Sequence, residues 1–375
     1  MISPRCVLCF VFGVRCSMAP TEVGVLQCGV CSAAKLFFDS SQFDLLSTTP
    51  APRRAPPSAC DDERIIEPGM IQVASYNIHS CIGADGFYST DRVAGVIRQG
   101  GSDVICLQEV EVNAPQEDGA PMKTRIWSHP HVDDQPSVLA QLAEYEYHAF
   151  VPAIRCKASG WKESHESVSV RDASGNFSGG INEPSGVTSR GFGKFGIALL
   201  SKYPIVQIHM HWYQRYKRKT LRNVMACLVS LPDKSLMWIV NTHLGCHFIG
   251  REQRQQAVEL VSFVSALERM DNRRVILCGD FNSPPLFPCV RYMKQSGFRD
   301  VWQYAKGFGG TFPSDSRVLG VPCCARKLLR LDYIFVLGFE GRCITCKKVY
   351  VQDDGKDCLL ASDHLPICVI LIFEG

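Results

Sequence analysis

The sequence predicts an α/β fold in which two packed sheets carry helices on their outer faces. Three observations lead there. Short apolar runs of strand length and mixed size recur from Met70 to Phe373, with few helical stretches between them. The best helix, Gln253 to Met270, places Ala257, Leu260, Val261, Val264 and Leu267 on one stripe, as a helix with one buried face does. Apolar runs also repeatedly deliver an acid, an amide or an imidazole near a strand end: Tyr76-Asn77, Leu107-Gln108-Glu109, Thr242-His243-Leu244, Gly279-Asp280-Phe281-Asn282 and Ser362-Asp363-His364-Leu365-Pro366.

The elements follow in order. Met70 to Ser75 reads as a strand ending at Asn77. Arg92 to Gln99 has Val93, Val96 and Ile97 on one face and stops at Gly100-Gly101, as a helix does. Val104 to Leu107 reads as a short buried strand ending at Glu109, and Ser137 to Tyr145 as a helix leading into a strand from Tyr147 to Val151. Strands follow at Ile197 to Leu200, Val224 to Leu231 and Leu236 to Asn241. After the long helix, Val275 to Cys278 enters Gly279-Asp280, Tyr333 to Leu337 follows Asp332, and Ile367 to Phe373 follows His364.

Two regions lack such a pattern. Residues 1–67 show no period and end in Pro50-Ala51-Pro52-Arg53-Arg54-Ala55-Pro56-Pro57, an extended linker by composition. They read as a disordered extension, with the folded domain spanning 68–375. Residues 157–191 are rich in Ser, Gly, Asn and charge, and read as a flexible insertion or a segment covering a site.

Composition sets bounds. At 375 residues, with 46% hydrophobic and 21% charged side chains, the chain can bury a sizeable core. A net charge of +3 does not mark a nucleic-acid binder. A local basic cluster, Arg215, Lys217, Arg218, Lys219 and Arg222, is either a solvated loop or a phosphate-facing rim. Of the 19 cysteines, Cys106, Cys227, Cys278 and Cys368 lie inside apolar strand-like runs, where Cys acts as a small hydrophobe. That placement favours a reducing, intracellular compartment over a disulfide scaffold. Cys6-x-x-Cys9, Cys28-x-x-Cys31 and Cys343-x-x-Cys346 have metal-ligand spacing without the accompanying histidines of a zinc finger. No run reaches the roughly 18 apolar residues of a membrane span. Val7 to Val14, between Arg5 and Arg15 and ahead of Ser17-Met18-Ala19, is the alternative signal or transit element.

The motifs point to phosphate chemistry. Glu109 ends an apolar run, so its carboxylate must be solvated, paired or bound to metal. Asp280 and Asn282, two apart after Arg274-Val275-Ile276-Leu277-Cys278, set a carboxylate and an amide beside one cavity while Phe281 turns to the core. Together such groups hold a water and a phosphate oxygen. An Asp332–His364 pair would fix the imidazole tautomer and keep it protonated against a phosphate. His243 adds a second imidazole at a strand end. Taken singly, Asn77 is a turn former, Glu109 a solvated acid and His364 a structural residue; their recurrence at strand ends is the signal.

In this order Ser75-Tyr76-Asn77, Leu107-Gln108-Glu109, Asn241-Thr242-His243-Leu244, Gly279-Asp280-Phe281-Asn282, Leu331-Asp332-Tyr333-Ile334 and Ser362-Asp363-His364 resemble the endonuclease/exonuclease/phosphatase superfamily over residues 69–375. Phe195-Gly196-Ile197-Ala198-Leu199-Leu200-Ser201 is similar to its central strand. Within it, Asn241 to Gly245 followed by Arg251 to Gln256, and Gly310-Thr311-Phe312-Pro313 ahead of Arg330-Leu331-Asp332, resemble small bacterial-type members. The resemblance implies a four-layer α/β/β/α sandwich of two packed mixed sheets. It implies a Mg²⁺ site, with Mn²⁺ as substitute, in which Glu109 is the ligand, Asn77 stands beside it and Asp363 is an outer or second ligand. It implies that Asp280 orients or deprotonates water and Asn282 holds a phosphate oxygen. His364, supported by Asp332, would donate to a non-bridging oxygen, and His243 would stabilise the same charge or assist the leaving group. Arg222 and Asn77 would touch the substrate phosphate. The substrate class stays open: a nucleic acid, cleaved by a nuclease, or a phospholipid or inositol phosphate, as for sphingomyelinases. A monomer is expected. A non-catalytic binding protein on the same fold would be signalled by loss of Glu109, Asp280 or His364, and all three are present.

Overall fold

The computed structural model describes residues 70–114, 131–157, 160–162, 169–172, 192–216, 221–247, 249–271, 274–305, 310–314, 328–337, 344–351 and 361–373. The expected extension 1–67, most of 157–191, and Lys217, Arg218 and Lys219 lie outside the described residues, as do the Cys6/Cys9 and Cys28/Cys31 pairs and Cys343.

The strands are β1 (Met70–Asn77), β2 (Val104–Ala114), β3 (His131–Asp134), β4 (Tyr147–Lys157), β5 (Gly160–Lys162), β6 (Ser169–Asp172), β7 (Phe192–Ser201), β8 (Ile205–Trp212), β9 (Asn223–Ser230), β10 (Leu236–His243), β11 (Val275–Asp280), β12 (Arg299–Asp300), β13 (Asp332–Leu337), β14 (Ile344–Val351) and β15 (Ile367–Phe373). The helices are α1 (Thr90–Gly100), α2 (Gln135–Leu142), α3 (Arg251–Asp271) and α4 (Pro288–Gln295). The first sheet runs β14-β15-β1-β2-β7-β4-β5, with β3 on β2 and β6 on β4; the second runs β12-β13-β11-β10-β9-β8. Within the expected insertion, β5 and β6 each pair antiparallel with β4.

Alternation along the strands builds the layers. On β1, Ile71 and Val73 enter the core between the sheets, while Ala74 and Tyr76 pack beneath the helices with Val93, Val96 and Ile97 of α1 and Leu139 of α2. On β11, Ile276 and Cys278 enter the inter-sheet core, while Val275 and Leu277 pack with Ala257, Leu260 and Val264 of α3 and Val290 and Met293 of α4. The result is the α/β/β/α sandwich. The stripe foreseen on the long helix is the face buried here, apart from Val261, which is partly buried. No helix among the described residues is long and apolar enough to cross a membrane.

The two sheets repeat one pairing scheme. Each has a single parallel pair at its centre, β1–β2 in one and β10–β11 in the other, flanked on both sides by antiparallel partners. The sites of interest fall at equivalent places: the C-terminal ends of the parallel pair and the start of the antiparallel neighbour.

One strand differs from its expected form. β2 does not end at Glu109 but continues to Ala114. Its pairing with β7 slips between Gln108 and Val110, so Glu109 is an extra residue, a bulge, with φ 56°. Before the bulge Val104 and Cys106 face the inter-sheet core and Ile105 and Leu107 the helices; after it Val110 and Val112 face the helices. The phase reversal hides the second half of the strand from a period-two reading. Strands β8 and β14 and helix α4 also carried no sufficient signal.

Candidate active site

Strand parity sets the site. Ser75 and Asn77 follow Ile71 and Val73 on the inter-sheet face of β1; Asp280 follows Ile276 and Cys278 on β11; Asp332 shares its face of β13 with Ile334 and Val336; His243 shares its face of β10 with Ile239. Asn77, His243, Asp280 and Asp332 therefore converge where the two sheets end together. β11 can approach β10 this closely because residue 279 is glycine: a Cβ there would overlap the Thr242 carbonyl.

Asp280 is the centre. Its Oδ1 accepts the Asn282 backbone N–H at 2.7 Å, and its Oδ2 accepts Asn77 Nδ2 across the sandwich at 3.0 Å. Asn77 Oδ1 in turn accepts the His79 N–H at 3.0 Å. Burial, and then the neighbouring Asp332, push the Asp280 carboxyl up to about 7, against His364 and the two N–H donors that favour its charged form.

His364 faces it. Its Nδ1 lies 2.8 Å from Asp332 Oδ2 and donates to it, and its Nε2 lies 3.9 Å from Asp280 Oδ2. Burial alone would lower this imidazole; the Asp332 carboxylate outweighs burial and holds it well above the usual histidine range, so it is an imidazolium. Asp332 and Leu331 donate their N–H groups to Thr311 Oγ1 at 3.3 and 3.1 Å. The His364 turn is tied to β1: Ser362 Oγ donates to the Asn77 carbonyl at 2.7 Å and accepts the His364 N–H at 3.2 Å.

His243 has the opposite character. Burial first, and then the Arg222 guanidinium, hold it well below the usual range, so the ring is neutral. Arg222 Nη1 lies 3.1 Å from Nδ1 and Asn282 Nδ2 lies 3.1 Å from Nε2, so a donor group faces each ring nitrogen. Nε2 faces Asp280 Oδ2 at 3.5 Å and Glu109 Oε1 at 3.8 Å. Asn282 Nδ2 donates to the Leu244 carbonyl at 3.0 Å. Asn282 sits in the left-handed region at φ 46°, which asparagine tolerates better than most residues.

Structure thus gathers Asn77, Glu109, Arg222, His243, Asp280, Asn282, Asp332 and His364 around one point. Asp363 stands to the side, its Oδ1 3.8 Å from His79 Nδ1. The structure adds two residues to this group: His79, a third imidazole two residues past the end of β1, and Thr311, which anchors Asp332 from the Gly310-Thr311-Phe312-Pro313 segment.

The donor set suits a hard divalent cation: carboxylate and amide oxygens, with no thiolate among them. Asp280, Asp332 and His364 each offer a ligand atom within 4.8 Å of one another. Asp332 Oδ1 is buried without a hydrogen-bond partner among the described residues. The imidazole of that trio is a poor ligand, since its Nδ1 is spent on Asp332 and the ring is protonated. Glu109, with 22% of its side chain exposed, and Asp363, with 19%, are the carboxylates open to solvent. The site carries Glu109, Asp280, Asp332 and Asp363 against the His364 and Arg222 cations, an excess of negative charge that a cation relieves.

Comparison with known proteins agrees with this architecture. The sequence profile of the Endonuclease/Exonuclease/phosphatase family matches residues 74–364. No curated protein sequence matches. Among solved structures, an endonuclease/exonuclease/phosphatase from Beutenbergia cavernae DSM 12333 is 22% identical with TM-score 0.57, over 82% of this chain and 72% of that one. A mannosyl-6-phosphatase from Bacteroides thetaiotaomicron is 17% identical with TM-score 0.55, over 81% and 100%. The human Nocturnin catalytic domain is 16% identical with TM-score 0.50, over 82% and 95%. At these identities the likeness is one of fold.

Proposed function

This chain belongs to the endonuclease/exonuclease/phosphatase family, and on that premise we propose that it is a Mg²⁺-dependent phosphoesterase that cleaves phosphodiester or phosphomonoester bonds by water attack. The observation that carries this reading is the opposition of Asp280 and His364. A carboxyl raised towards neutrality stands 3.9 Å from an imidazolium fixed by Asp332. One is suited to take a proton from water, and the other to face charge growing on a phosphoryl oxygen.

Glu109 would hold the cation, with Asn77 beside it and Asp363 as outer ligand, and a divalent ion bound there would supply Lewis-acid polarisation of a phosphoryl oxygen. Asp280 orients the water and accepts its proton. Asn77 Nδ2 and the Asn282 N–H keep that carboxylate turned towards the water. The Asn282 side chain holds a phosphate oxygen. His364 donates from Nε2 to a non-bridging oxygen while Asp332 keeps its other nitrogen protonated. His243, neutral, acts as a hydrogen-bonding group beside the phosphate and not as a cation. Arg222 supplies the positive charge on that side and meets the substrate phosphate. Arg222 belongs to the basic cluster with Arg215, which supports a polyanionic substrate such as a nucleic acid.

A side-by-side panel tests this: single- and double-stranded DNA, RNA, sphingomyelin, inositol phosphates and bis(p-nitrophenyl) phosphate, each with Mg²⁺ and with EDTA. Hydrolysis of at least one ester, lost in EDTA and restored by Mg²⁺, is the expected result. Inertness towards every ester would favour a binding protein on the same fold, and EDTA-resistant turnover would remove the metal.

A further inference from the structure

We infer that Asn241 is a positioning residue that holds Glu109 in the site by fixing the bulge on which it sits. The inference rests on Glu109 as cation ligand, as proposed above.

Glu109 reaches the site only because β2 is irregular. It is the inserted residue between Gln108 and Val110, and its φ of 56° is one that L side chains other than asparagine and glycine rarely adopt. Bulges re-aim side chains beside active sites, but the ladder they break leaves backbone groups to be satisfied. Here the repair comes from the other sheet. Asn241 on β10 points across the sandwich, and its Nδ2 donates to Leu107 O at 2.9 Å and to Ala198 O at 2.7 Å. Leu107 and Ala198 are paired across β2 and β7, one pair before the Gln108–Ile197 pair that ends the regular register ahead of Glu109.

The same amide fixes its neighbour. Asn241 Oδ1 accepts Gln108 Nε2 at 2.8 Å, and Gln108 Nε2 also reaches Ser75 Oγ at 3.2 Å. Because the Asn241 nitrogen is committed to two carbonyls, its oxygen must face Gln108. Gln108 Oε1 is then buried with no partner among the described residues. The Gln108 carbonyl is taken by the Ile78 N–H at 3.0 Å, so both residues before Glu109 are held. On the far side, Val110 pairs with Gly196, where any Cβ would overlap the Val151 carbonyl. Two positions beyond Asn241 on the same face is His243, whose Nε2 faces Glu109 Oε1. One strand of the second sheet therefore both shapes the bulge and meets the carboxylate it delivers.

A merely structural role predicts something different, and the molecule contains the control. Asn223 is an equally buried amide on β9 that also crosses the sandwich, donating from Nδ2 to Val151 O at 3.1 Å on β4. It ties the sheets one strand further out, on β4 across β7 from the bulge, and touches neither β2 carbonyl ahead of Glu109. Mn²⁺ is titrated by calorimetry into the full chain and into Asn241→Ala and Asn223→Ala, with Tm recorded for each. Both substitutions should lower Tm. Asn241→Ala should raise the Mn²⁺ Kd by about 10- to 100-fold, as the loss of outer-shell support does, and Asn223→Ala should leave it within about twofold. Asn241→Ser retains one donor for the two carbonyls; it should fall between wild type and Asn241→Ala, and decides the matter if the alanine variant is insoluble. Wild-type affinity in Asn241→Ala, or in Asn241→Ser where that variant alone is soluble, would overturn the inference, as would equal weakening by Asn223→Ala. A wild-type chain that binds no Mn²⁺ would instead remove the metal reading itself, and this inference with it.

Discussion

The two sheets follow one plan and end differently. In the second sheet, β10 and β11 run without a break to His243 and Asp280, which sit opposite each other in register. In the first, β1 runs unbroken to Asn77, but its partner β2 reaches the site through the Glu109 bulge. The unbroken strands β11 and β13 supply the buried carboxylates Asp280 and Asp332; the bulged β2 supplies Glu109, which is partly open to solvent. The same contrast holds for the imidazoles. His364, entering the first sheet, has a carboxylate partner and is charged; His243, ending a strand of the second, has a guanidinium partner and is neutral. Burial acts on both rings in the same direction, so the partner decides the charge.

The harshest way to break the comparison is to remove the group both sheets share. Asp280 belongs to the second sheet yet accepts from Asn77 of the first. Asp280→Ala should lower kcat by up to about 10⁴-fold, the upper range for a lost general base. Circular dichroism should show the fold unchanged.

The pH profile sharpens the contrast next. Asp280 acts as its carboxylate, and its pKa is raised to about 7, so activity should fall by about tenfold per pH unit as pH drops below that limb. A bound cation shifts the limb down, so raising Mg²⁺ should move it to lower pH. His364 acts while protonated, and its pKa is raised, so the alkaline limb lies well above the ordinary imidazole value and activity is lost as pH rises through it. The stability contributed by the Asp332–His364 pair has the same sign: fully present below the unfolded histidine value and lost as pH rises through the folded one. A profile with no acidic limb near or below neutrality would show that Asp280 is not the base.

His364→Ala and Asp332→Ala should each cost about 10²-fold or more. The double variant should lose far less than the product, because the carboxylate acts through the ring. Multiplicative losses would place Asp332 in another role. Arg222→Ala should cost less, about tenfold, and chiefly in KM, if it meets a substrate phosphate in ground and transition states alike.

The smallest effect on chemistry should come from a buried ion pair in the second sheet away from the site. Asp300 accepts both Arg330 Nη1 and Nη2, at 2.9 and 2.8 Å. Burial raises its carboxyl, but Arg330 outweighs that and holds it below the usual range. Its stabilisation is present above the unfolded aspartate value and lost as pH falls through the lowered one. Asp300→Ala should cost about 3–5 kcal/mol of stability by stranding Arg330, read by urea unfolding, with kcat within about twofold at 25 °C.

The regular parts of this molecule were legible in the sequence and the irregular ones were not. Continuous apolar runs marked β1, β10, β11 and β15, and with them Asn77, His243, Asp280 and His364, because a strand buried on both faces reads as one such run. β2 was cut short because the bulge at Glu109 reverses its phase. β8 was missed because two of its residues are exposed and its remaining positions are mixed. The protonated state of His364 followed from its expected pairing with Asp332, but the neutral state of His243 was beyond the sequence, since only the fold sets Arg222 beside it. The cross-sheet bonds of Asn241 were hidden for the same reason: 134 positions separate it from Leu107.

The claim that a cation held by the bulged strand serves the base of the other sheet is tested most directly on Glu109 itself. Hydrolysis of bis(p-nitrophenyl) phosphate is measured over a Mg²⁺ series for wild type and Glu109→Gln. Wild-type activity should saturate with Mg²⁺ and vanish in EDTA, and Glu109→Gln should fall by about 10²- to 10³-fold and need more Mg²⁺ for half-activation. Equal turnover and an unchanged Mg²⁺ requirement in Glu109→Gln would contradict it.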